Sequence, residues 1–300
     1  MRGIVTLAGD GSRMLPWARG LRKEFLPLFD RPSDGEAAAP VLKPVTHLVV
    51  ETLLAARVTD LTLVVRPENR GFVQGYFRVD RELIARHAHH PERIAEMRRF
   101  DRALERLAIT LRAQPRPAGF GDAVLRGSRD AGRGPFVVHA GDGVLIEPER
   151  GRLLRAMIAL RDAEDLDAVL LVRPVRDPRR YGVVEGSRRP PVGGIGRLAV
   201  RGIEEKPARP RSPWAATAVY VFGPALWPAL RAEARTRPTE LELTSGIARL
   251  LRAGGRAEAL VLTPRLGRWR SVGSPEGYVR ALLETRRAAR SHGPPPVHRR

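Results

Sequence analysis

Short apolar runs alternate with amphipathic stretches up to Pro174, and this alternation limits the possible fold more than any other feature. The pattern predicts strands at Arg2–Leu7, Asp60–Val65, Ala108–Arg112, Phe136–His139 and Ala168–Val172. Helical spacing between these runs predicts helices at Val45–Ala56, Asp122–Asp130 and Leu153–Arg161. A repeated strand–helix–strand order favours a doubly wound, largely parallel sheet with helices on both faces.

The sequence pattern changes in the second half of the chain. We predict strands at Tyr181–Glu185, Leu198–Glu204 and Ala216–Phe222, and helices at Pro224–Ala234, Glu240–Arg252 and Pro275–Ala288. Because loops rich in Pro, Gly and Arg join these strands, part of the sheet should be antiparallel, giving a Rossmann-like mixed α/β fold. A charged stretch with helical spacing, about 79–107, is predicted as a helical insertion over one sheet edge. We expect residues 1–288 to form a single domain and residues 289–300 a mobile basic tail.

Composition excludes several classes of protein. The 300 residues are 43% hydrophobic and 29% charged, which suffices for a buried core and argues against wholesale disorder. With no cysteine, the chain has no disulfide, thiolate zinc site or cysteine nucleophile. Its apolar runs are far shorter than the ~20 residues of a membrane helix, and the N-terminus does not read as a signal peptide. We therefore expect a cytoplasmic protein with no membrane partner.

The net charge of +20 arises from 53 Lys and Arg against 33 Asp and Glu, and only Lys23, Lys43 and Lys206 are lysines. Where arginine replaces lysine so widely, a surviving lysine marks a position that needs a compact ammonium, because Arg presents a broad planar fork. The arginines are spread along the chain and aromatic residues are only 5%, which favours small polyanionic ligands over nucleic acid. Charge alone still leaves a basic nucleic-acid-binding protein as an alternative. Lys43, beside Pro44 at a helix start, is expected on a solvated surface.

The strongest local signal is the glycine-rich turn Leu7–Pro16 (LAGDGSRMLP), directly after the first strand. Glycines allow backbone N–H groups to crowd around phosphate oxygens, and Arg13 can add a bidentate contact. The turn lacks the third glycine of the dinucleotide fingerprint, and its arginine is not the lysine of a P-loop.

Together with the continuation Lys23–Leu28 (KEFLPL), this turn resembles the sugar-1-phosphate nucleotidylyltransferases, and most closely the bacterial UTP–glucose-1-phosphate uridylyltransferases. The resemblance extends from about Gly3 to Ala288. Further matching segments are Gln114 with Gly119–Leu125, Gly141–Asp142, Tyr181–Val184, Glu205–Pro207 and Glu240–Thr244. Several ordered motifs are far more specific than any one of them.

The resemblance implies a fold of the nucleotide-diphospho-sugar transferase type and transfer of a nucleotidyl group from an NTP, preferably UTP, to a sugar-1-phosphate, preferably glucose-1-phosphate. It assigns the triphosphate to Ala8, Gly9, Gly11, Ser12 and Arg13, the α-phosphate to Lys23, and the base edge to Gln114 and Gly119. It further assigns Mg²⁺ to Asp142, the sugar to Gly182 and Glu205, and the sugar phosphate to Lys206. Arg13, Lys23 and Asp142 would be the catalytic residues. We also expect a homo-oligomer.

Some positions depart from the family pattern. Ser271 and Ser245 stand where Asp is usual, Gly143 replaces a polar residue, Ala218 replaces a frequent Gly, and Ser33–Leu42 is inserted. Without a carboxylate at residue 271, the metal site would lose one charged ligand. A weakened or inactive sugar-nucleotide-binding relative is therefore an alternative. Since Gln114 would also accept thymine, a dTTP-using thymidylyltransferase is another. His87, His89 and His90 are expected to be solvated rather than to bind a metal.

Overall fold

The computed structural model describes residues 1–32, 39–236 and 239–290, in which thirteen strands and nine α-helices are found. The strands are β1 (Arg2–Leu7), β2 (Pro27–Asp30), β3 (Val41–Pro44), β4 (Asp60–Val65), β5 (Ala108–Ala113), β6 (Phe136–Ala140), β7 (Gly143–Ile146), β8 (Ala168–Pro174), β9 (Gly182–Val192), β10 (Ile195–Glu205), β11 (Trp214–Phe222), β12 (Ala257–Val261) and β13 (Arg268–Ser271). The helices are α1 (Val45–Ala55), α2 (Arg70–Tyr76), α3 (Arg81–Arg86), α4 (Pro91–Leu104), α5 (Phe120–Ala131), α6 (Arg152–Glu164), α7 (Leu226–Thr236), α8 (Leu243–Arg252) and α9 (Pro275–Arg290).

Nine of the strands form one mixed sheet in the order β5-β4-β1-β6-β11-β8-β12-β10-β9. Strands β5, β4, β1 and β6 run parallel, whereas β11 pairs antiparallel with both β6 and β8. The predicted doubly wound mixed sheet is therefore confirmed. Because β1 pairs with β4 on one side and β6 on the other, a crevice opens at the carboxyl ends of β1 and β6, where sheets of this kind bind ligands.

The core lies on both faces of this sheet. Ile4 of β1 packs in a cluster with α5, α7 and α8, while the next residue, Val5, packs in a cluster with α1 and α6. This alternation follows from the two-residue period of a strand. A strand buried on both faces is mostly apolar, as at Asp60–Val65. We propose that residues 1–288 form a single domain, because the one sheet carries helices from both halves of the chain.

The structure differs from the sequence prediction mainly in its small and irregular elements. Strand β12 was not predicted because it carries a charge, Glu258, which is 5% exposed and is neutralised by Arg197. The two-stranded sheets β2–β3 and β7–β13 were also missed, since Pro27 and Pro44 interrupt the strand pattern of the first. Helices α3 and α4 lie within the predicted insertion, about 79–107, and the short helix α2 precedes it. Residues 33–38 of the inserted Ser33–Leu42 segment and residues 291–300 of the predicted tail lie outside the described ranges.

Lys43 was predicted on a solvated surface, and that prediction is wrong. Lys43 is 4% exposed, and its Nζ lies 2.8 Å from Asp30 Oδ2, 2.8 Å from Glu51 Oε1 and 3.1 Å from Glu96 Oε2. A buried ammonium is tolerated when carboxylates surround it, because they offset the loss of hydration. The lysine thus joins β2, α1 and the helical insertion, a role that depends on residues far apart in the sequence.

Candidate nucleotide site

A cavity of about 350 Å³ opens at the carboxyl ends of β1 and β6. Its lining includes six of the predicted site residues, namely Ala8, Gly9, Lys23, Gln114, Gly119 and Asp142. Ala8 and Gly9 directly follow β1, and Asp142 stands between β6 and β7. A backbone hydrogen bond from Gly141 N to Thr6 O, 3.0 Å long, holds the β6–β7 turn against the end of β1. The sheet topology therefore brings together motifs more than a hundred residues apart.

At the centre of the cavity, the Lys23 ammonium and the Asp142 carboxylate form an ion pair with Nζ and Oδ2 2.5 Å apart. Burial works against the charge on Lys23, but Asp142 and Glu24 raise the pKa of its ammonium above the ordinary value. Burial likewise opposes ionisation of Asp142, yet Lys23 and Arg13 hold the pKa of its carboxyl below the ordinary value. Both groups are therefore charged at neutral pH, so the cavity holds a cation paired with an anion.

Glu24 is a second carboxyl group lining this cavity, and the sequence motif indicated it without assigning it a role. It is 2% exposed, and its Oε1 lies 3.9 Å from Lys23 Nζ. Burial raises the pKa of Glu24 to about 7; the Lys23 ammonium opposes this rise, and the Asp142 carboxylate adds to it. Within the described structure, Glu24 Oε2 is buried without a hydrogen-bond partner. Such a group is costly unless a ligand completes it.

The glycine-rich turn places Arg13 near the carboxylate of Asp142. Gly11 has φ 68° and precedes a short 3-10 helix, Ser12–Met14, so that Ser12 and Arg13 are exposed beside the cavity. A Cβ built on Gly273 would lie 3.0 Å from Arg13 Nη2, 3.1 Å from Asp142 Oδ2 and 3.1 Å from Ser271 Oγ. Three side chains from distant parts of the chain therefore converge on one point at the mouth of the site.

Gln114 and Gly119 form another edge of the cavity. The Gln114 amide donates from Nε2 to Gly119 O at 3.1 Å and to Asp122 Oδ2 at 2.8 Å. Using both N–H donors on protein oxygens orients Gln114 Oε1 as the acceptor of this side chain. The loop is in turn held by Leu241, whose N donates to Ala118 O and whose O accepts from Gly121 N.

Replacing Gly119 by alanine is expected to distort this edge. Gly119 has φ 95°, and an added Cβ would lie 2.4 Å from Leu241 O, so both the backbone conformation and the available space require glycine. We expect a loss of roughly 1–3 kcal/mol of stability from strain and a similar amount from the clash. Gly132→Ala is the matched control, because Gly132 also has positive φ but faces open space. Gly119→Ala should lower the midpoint temperature of unfolding and the affinity for NTP more than Gly132→Ala does. Equal losses in the two variants would contradict this account.

The predicted sugar residues form a separate cluster where β9 begins and β10 ends. Gly182 pairs with Glu205 in the β9–β10 register, and Thr244 Oγ1 donates to Glu205 Oε2 at 3.2 Å. Lys206 Nζ lies 3.4 Å from Glu205 Oε1 and 3.9 Å from Glu242 Oε1, while the lysine side chain is 59% exposed. Burial and the neighbouring Glu205 raise the pKa of Glu242. Thr244 and Glu242 lie in the matching segment 240–244 but were not predicted individually.

The departures from the family pattern have local explanations. A Cβ on Gly143 would lie 2.1 Å from the Trp269 ring, so the indole occupies the space that a side chain at residue 143 would need. Ser245 Oγ donates to Glu242 O at 2.7 Å at the start of α8. Ala218 adopts φ 56° at a register shift in β11 and lines the cavity. Arg270 Nη2 donates to Glu284 Oε1 on α9 at 2.6 Å, so a carboxylate already engages its guanidinium.

The residues at the mouth fit a magnesium ion bound together with phosphates. Among the described residues, no group of three or more His, Cys, Asp or Glu side chains could hold a metal ion. Mg²⁺ nevertheless often binds through one or two carboxylates, substrate phosphates and water. Asp142 supplies one carboxylate, and Ser271 Oγ is a second hard oxygen beside it. His87 and His89 are exposed near the end of α3, as predicted, whereas His90, also predicted to be solvated, is half-buried at the start of α4.

Comparison with known proteins identifies the family of this chain. The model of a family described as Nucleotidyl transferase matches residues 2–288. A glucose-1-phosphate thymidylyltransferase from Streptomyces antibioticus is 28% identical over 287 residues, covering 96% of this chain and 65% of that protein. Another from Neisseria meningitidis is 25% identical over 224 residues, covering 74% of this chain and 61% of that protein. The chain thus matches 61–65% of the length of these relatives.

Solved structures share the fold. UTP-bound UGPase from Acinetobacter baumannii superposes with a TM-score of 0.77 at 24% identity, covering 94% of this chain and 92% of that one. UDP-glucose pyrophosphorylase complexed with UDP-glucose superposes with a TM-score of 0.78 at 21% identity, covering 94% and 97%. In the described ranges, no helix has the length and apolar character needed to cross a membrane.

Proposed function

This chain belongs to the nucleotidyl transferase family, and from that premise we propose that it transfers a nucleotidyl group from an NTP to a sugar-1-phosphate and releases pyrophosphate. The preferred pair is UTP with glucose-1-phosphate. The observation that carries the proposal is the Lys23–Asp142 ion pair, which lies in a cavity with the glycine-rich turn on one side and the Gln114–Gly119 edge on another. Phosphates, a cation and a base each meet complementary groups in such an arrangement.

The reaction needs little covalent chemistry from the protein. An oxygen of the sugar phosphate forms a bond to the α-phosphorus of the NTP, and the bond from that phosphorus to the β-phosphate oxygen breaks, so pyrophosphate leaves. Lys23 would leave Asp142 and place its ammonium on the α-phosphate, where negative charge is spread in the transition state. Arg13 would bind the departing pyrophosphate, with Ala8, Gly9, Gly11 and Ser12 around it.

Asp142 would hold Mg²⁺, which supplies positive charge to the phosphate oxygens when bound. On the acceptor side, Glu205 would accept hydrogen bonds from sugar hydroxyls, Gly182 would contact the sugar through its backbone, and Lys206 would bind the sugar phosphate. Exposure of Lys206 supports this role, because an ammonium that is accessible can reach a phosphate. Binding both substrates in line makes the reaction effectively unimolecular.

The orientation of Gln114 supports a base with an N–H donor on its pairing edge. With Nε2 used on Gly119 and Asp122, Oε1 can accept from N3–H of uracil or thymine. This contact does not separate the two bases. The thymidylyltransferase relatives therefore support dTTP as a second candidate donor.

We further propose that the enzyme is a cytoplasmic homo-oligomer whose partners are its small substrates, with no nucleic acid or membrane partner. The proposed lack of a nucleic-acid partner is supported by the ion pairs of Arg112 with Asp130 and of Arg197 with Glu258, because these arginines are already neutralised. Exposed apolar side chains of Val279 and Leu283 on α9 support an interface between copies.

The direct test is pyrophosphate release in the presence of Mg²⁺ from a panel of UTP, dTTP, CTP, ATP and GTP with several sugar-1-phosphates. We expect turnover with UTP and glucose-1-phosphate, and less with dTTP. Faster turnover with dTTP would favour the thymidylyltransferase alternative. NTP binding without turnover on any acceptor would favour the non-catalytic sugar-nucleotide-binding alternative, and salt-sensitive DNA binding without any NTP effect would favour a nucleic-acid-binding protein.

Ser271→Asp is expected to strengthen the metal site. Ser271 Oγ and Asp142 Oδ2 converge on Gly273, so the new carboxylate would lie beside the first one. We expect the Mg²⁺ concentration for half-maximal activity to fall about fivefold, which corresponds to roughly 1 kcal/mol. Ser187→Asp, which adds the same charge on β9, is the control. An unchanged or higher Mg²⁺ requirement in Ser271→Asp would mean that the new carboxylate pairs with Arg13 instead.

A further inference from the structure

The glycine-rich turn carries a negative charge at a point where the proposed function places phosphates. Asp10 stands between Gly9 and Gly11, which are both assigned to the triphosphate. Gly9 lines the cavity at the carboxyl ends of β1 and β6, whereas Asp10 is not among its described lining residues. A carboxylate beside a polyanion opposes its binding, because like charges repel each other more strongly where a ligand excludes water. A turn that binds phosphates therefore needs a cation to neutralise this carboxylate.

Arg66 supplies that cation. Strands β1 and β4 are parallel, and their register pairs Leu7 with Val65, so the loops that follow the two strands meet at the carboxyl edge of the sheet. There Arg66 Nη1 donates to Asp10 Oδ1, and Arg66 Nε donates to Glu68 Oε1 at 2.5 Å. Because carboxylates hold the guanidinium at two of its nitrogens, the direction of the Arg66 side chain is fixed. The carboxylate of Asp10 is consequently bound on the β4 side of the turn.

The ion pair contributes little to the stability of the fold, so its location matters more than its strength. The side chains of Arg66 and Asp10 are 23% and 47% exposed, and exposed pairs are weakened by water and salt. Both glycines beside Asp10 approach Lys23, since a Cβ built on Gly9 would lie 3.3 Å from Lys23 Nζ and one built on Gly11 would lie 3.9 Å from Lys23 Cδ. An unpaired Asp10 carboxylate would therefore compete with the phosphates for this ammonium.

We propose that Arg66 is a positioning residue for nucleotide binding, which acts through Asp10 by holding its carboxylate away from the phosphates and cancelling its charge. This inference rests on the proposed function. Without Arg66, Asp10 is an unpaired anion beside the triphosphate, and NTP binding weakens. When the charge of Asp10 is removed as well, the repulsion disappears and binding recovers. If Arg66 instead contacted a phosphate directly, removal of the Asp10 charge would not compensate for its loss.

Titration calorimetry of UTP with the intact chain and Mg²⁺ tests the proposal through a double-mutant cycle. We expect Arg66→Ala to weaken UTP binding about tenfold, and Asp10→Asn combined with Arg66→Ala to bind UTP within about threefold of wild type. The defect of Arg66→Ala should shrink as the salt concentration is raised, because salt screens the repulsion. In steady-state kinetics the KM for UTP should rise, while kcat stays within about twofold of the wild-type value.

Arg2→Ala is the matched control, because Arg2 Nε donates to Asp60 Oδ2 at 2.7 Å and this pair joins the same two strands at their amino ends. It should leave the affinity for UTP unchanged. Wild-type affinity in Arg66→Ala overturns the proposal. A double variant that binds UTP as weakly as Arg66→Ala also overturns it, and means that Arg66 contacts a phosphate itself. Failure of wild type to bind UTP would overturn the proposed function as well, so wild-type binding distinguishes the two failures.

Discussion

Replacing Lys23 by alanine is expected to lower the turnover number by roughly 10²-fold or more, because the ammonium would no longer stabilise the charge that develops on the α-phosphate. The structure supports this expectation, since the Lys23 ammonium lies in the cavity at the carboxyl ends of β1 and β6, 2.5 Å from Asp142. Lys23→Arg should also be impaired. Lys23 Nζ lies close to Gly9, since a Cβ built there would be 3.3 Å from it, and a planar guanidinium fork does not reproduce the position of a compact ammonium.

Steady-state rates of pyrophosphate release would measure the effect, with NTP affinity and thermal unfolding followed in the same variants. Arg22→Ala is a suitable control, since it removes a neighbouring positive charge that pairs with Glu68 instead of Asp142. The loss should appear mainly in the turnover number. A Lys23→Ala variant with the wild-type rate would refute the catalytic role of this residue.

Replacing Asp142 by asparagine is expected to lower activity by roughly 10²-fold or more, or to raise the Mg²⁺ requirement strongly, since the site loses its main metal-binding carboxylate. The substitution keeps the shape of the side chain, so the fold should survive. The Lys23 ammonium keeps a carboxylate nearby, with Glu24 Oε1 at 3.9 Å. Of the described carboxylates, Asp142 is the one that converges with Ser271 and Arg13 at the cavity mouth.

A Mg²⁺ titration of activity should be combined with Mn²⁺ binding followed by electron paramagnetic resonance, which reports on metal binding independently of turnover. Asp162→Asn is the control, because Asp162 is an exposed carboxylate on α6 that pairs with Arg161. Unchanged Mn²⁺ affinity and Mg²⁺ dependence in Asp142→Asn would place the metal elsewhere. The outcome of Ser271→Asp would then need a different explanation.

Features encoded within a few consecutive residues were predicted well from the sequence. The largely apolar runs at Arg2–Leu7 and Asp60–Val65 coincide with β1 and β4, because burial on both faces favours a mostly apolar strand. Helix α5 differs from its predicted range by one or two residues at each end. The ordered motifs also predicted that Gly9, Lys23, Gln114, Gly119 and Asp142 would meet at one site, and they line one cavity.

The sequence by itself therefore determined the alternation of strands and helices, the glycine-rich turn after β1 and the identity of the residues around it. Tertiary structure alone decided which charges are buried and what they contact. The prediction of a solvated Lys43 rested on its neighbour Pro44, whereas its charged partners Asp30, Glu51 and Glu96 come from separate elements. The unpartnered oxygen of Glu24 and the packing of Trp269 on Gly143 also depend on contacts between distant segments. Local patterns reflect backbone preference and periodicity, whereas desolvation and Coulomb interactions depend on positions in space that no short stretch of sequence contains.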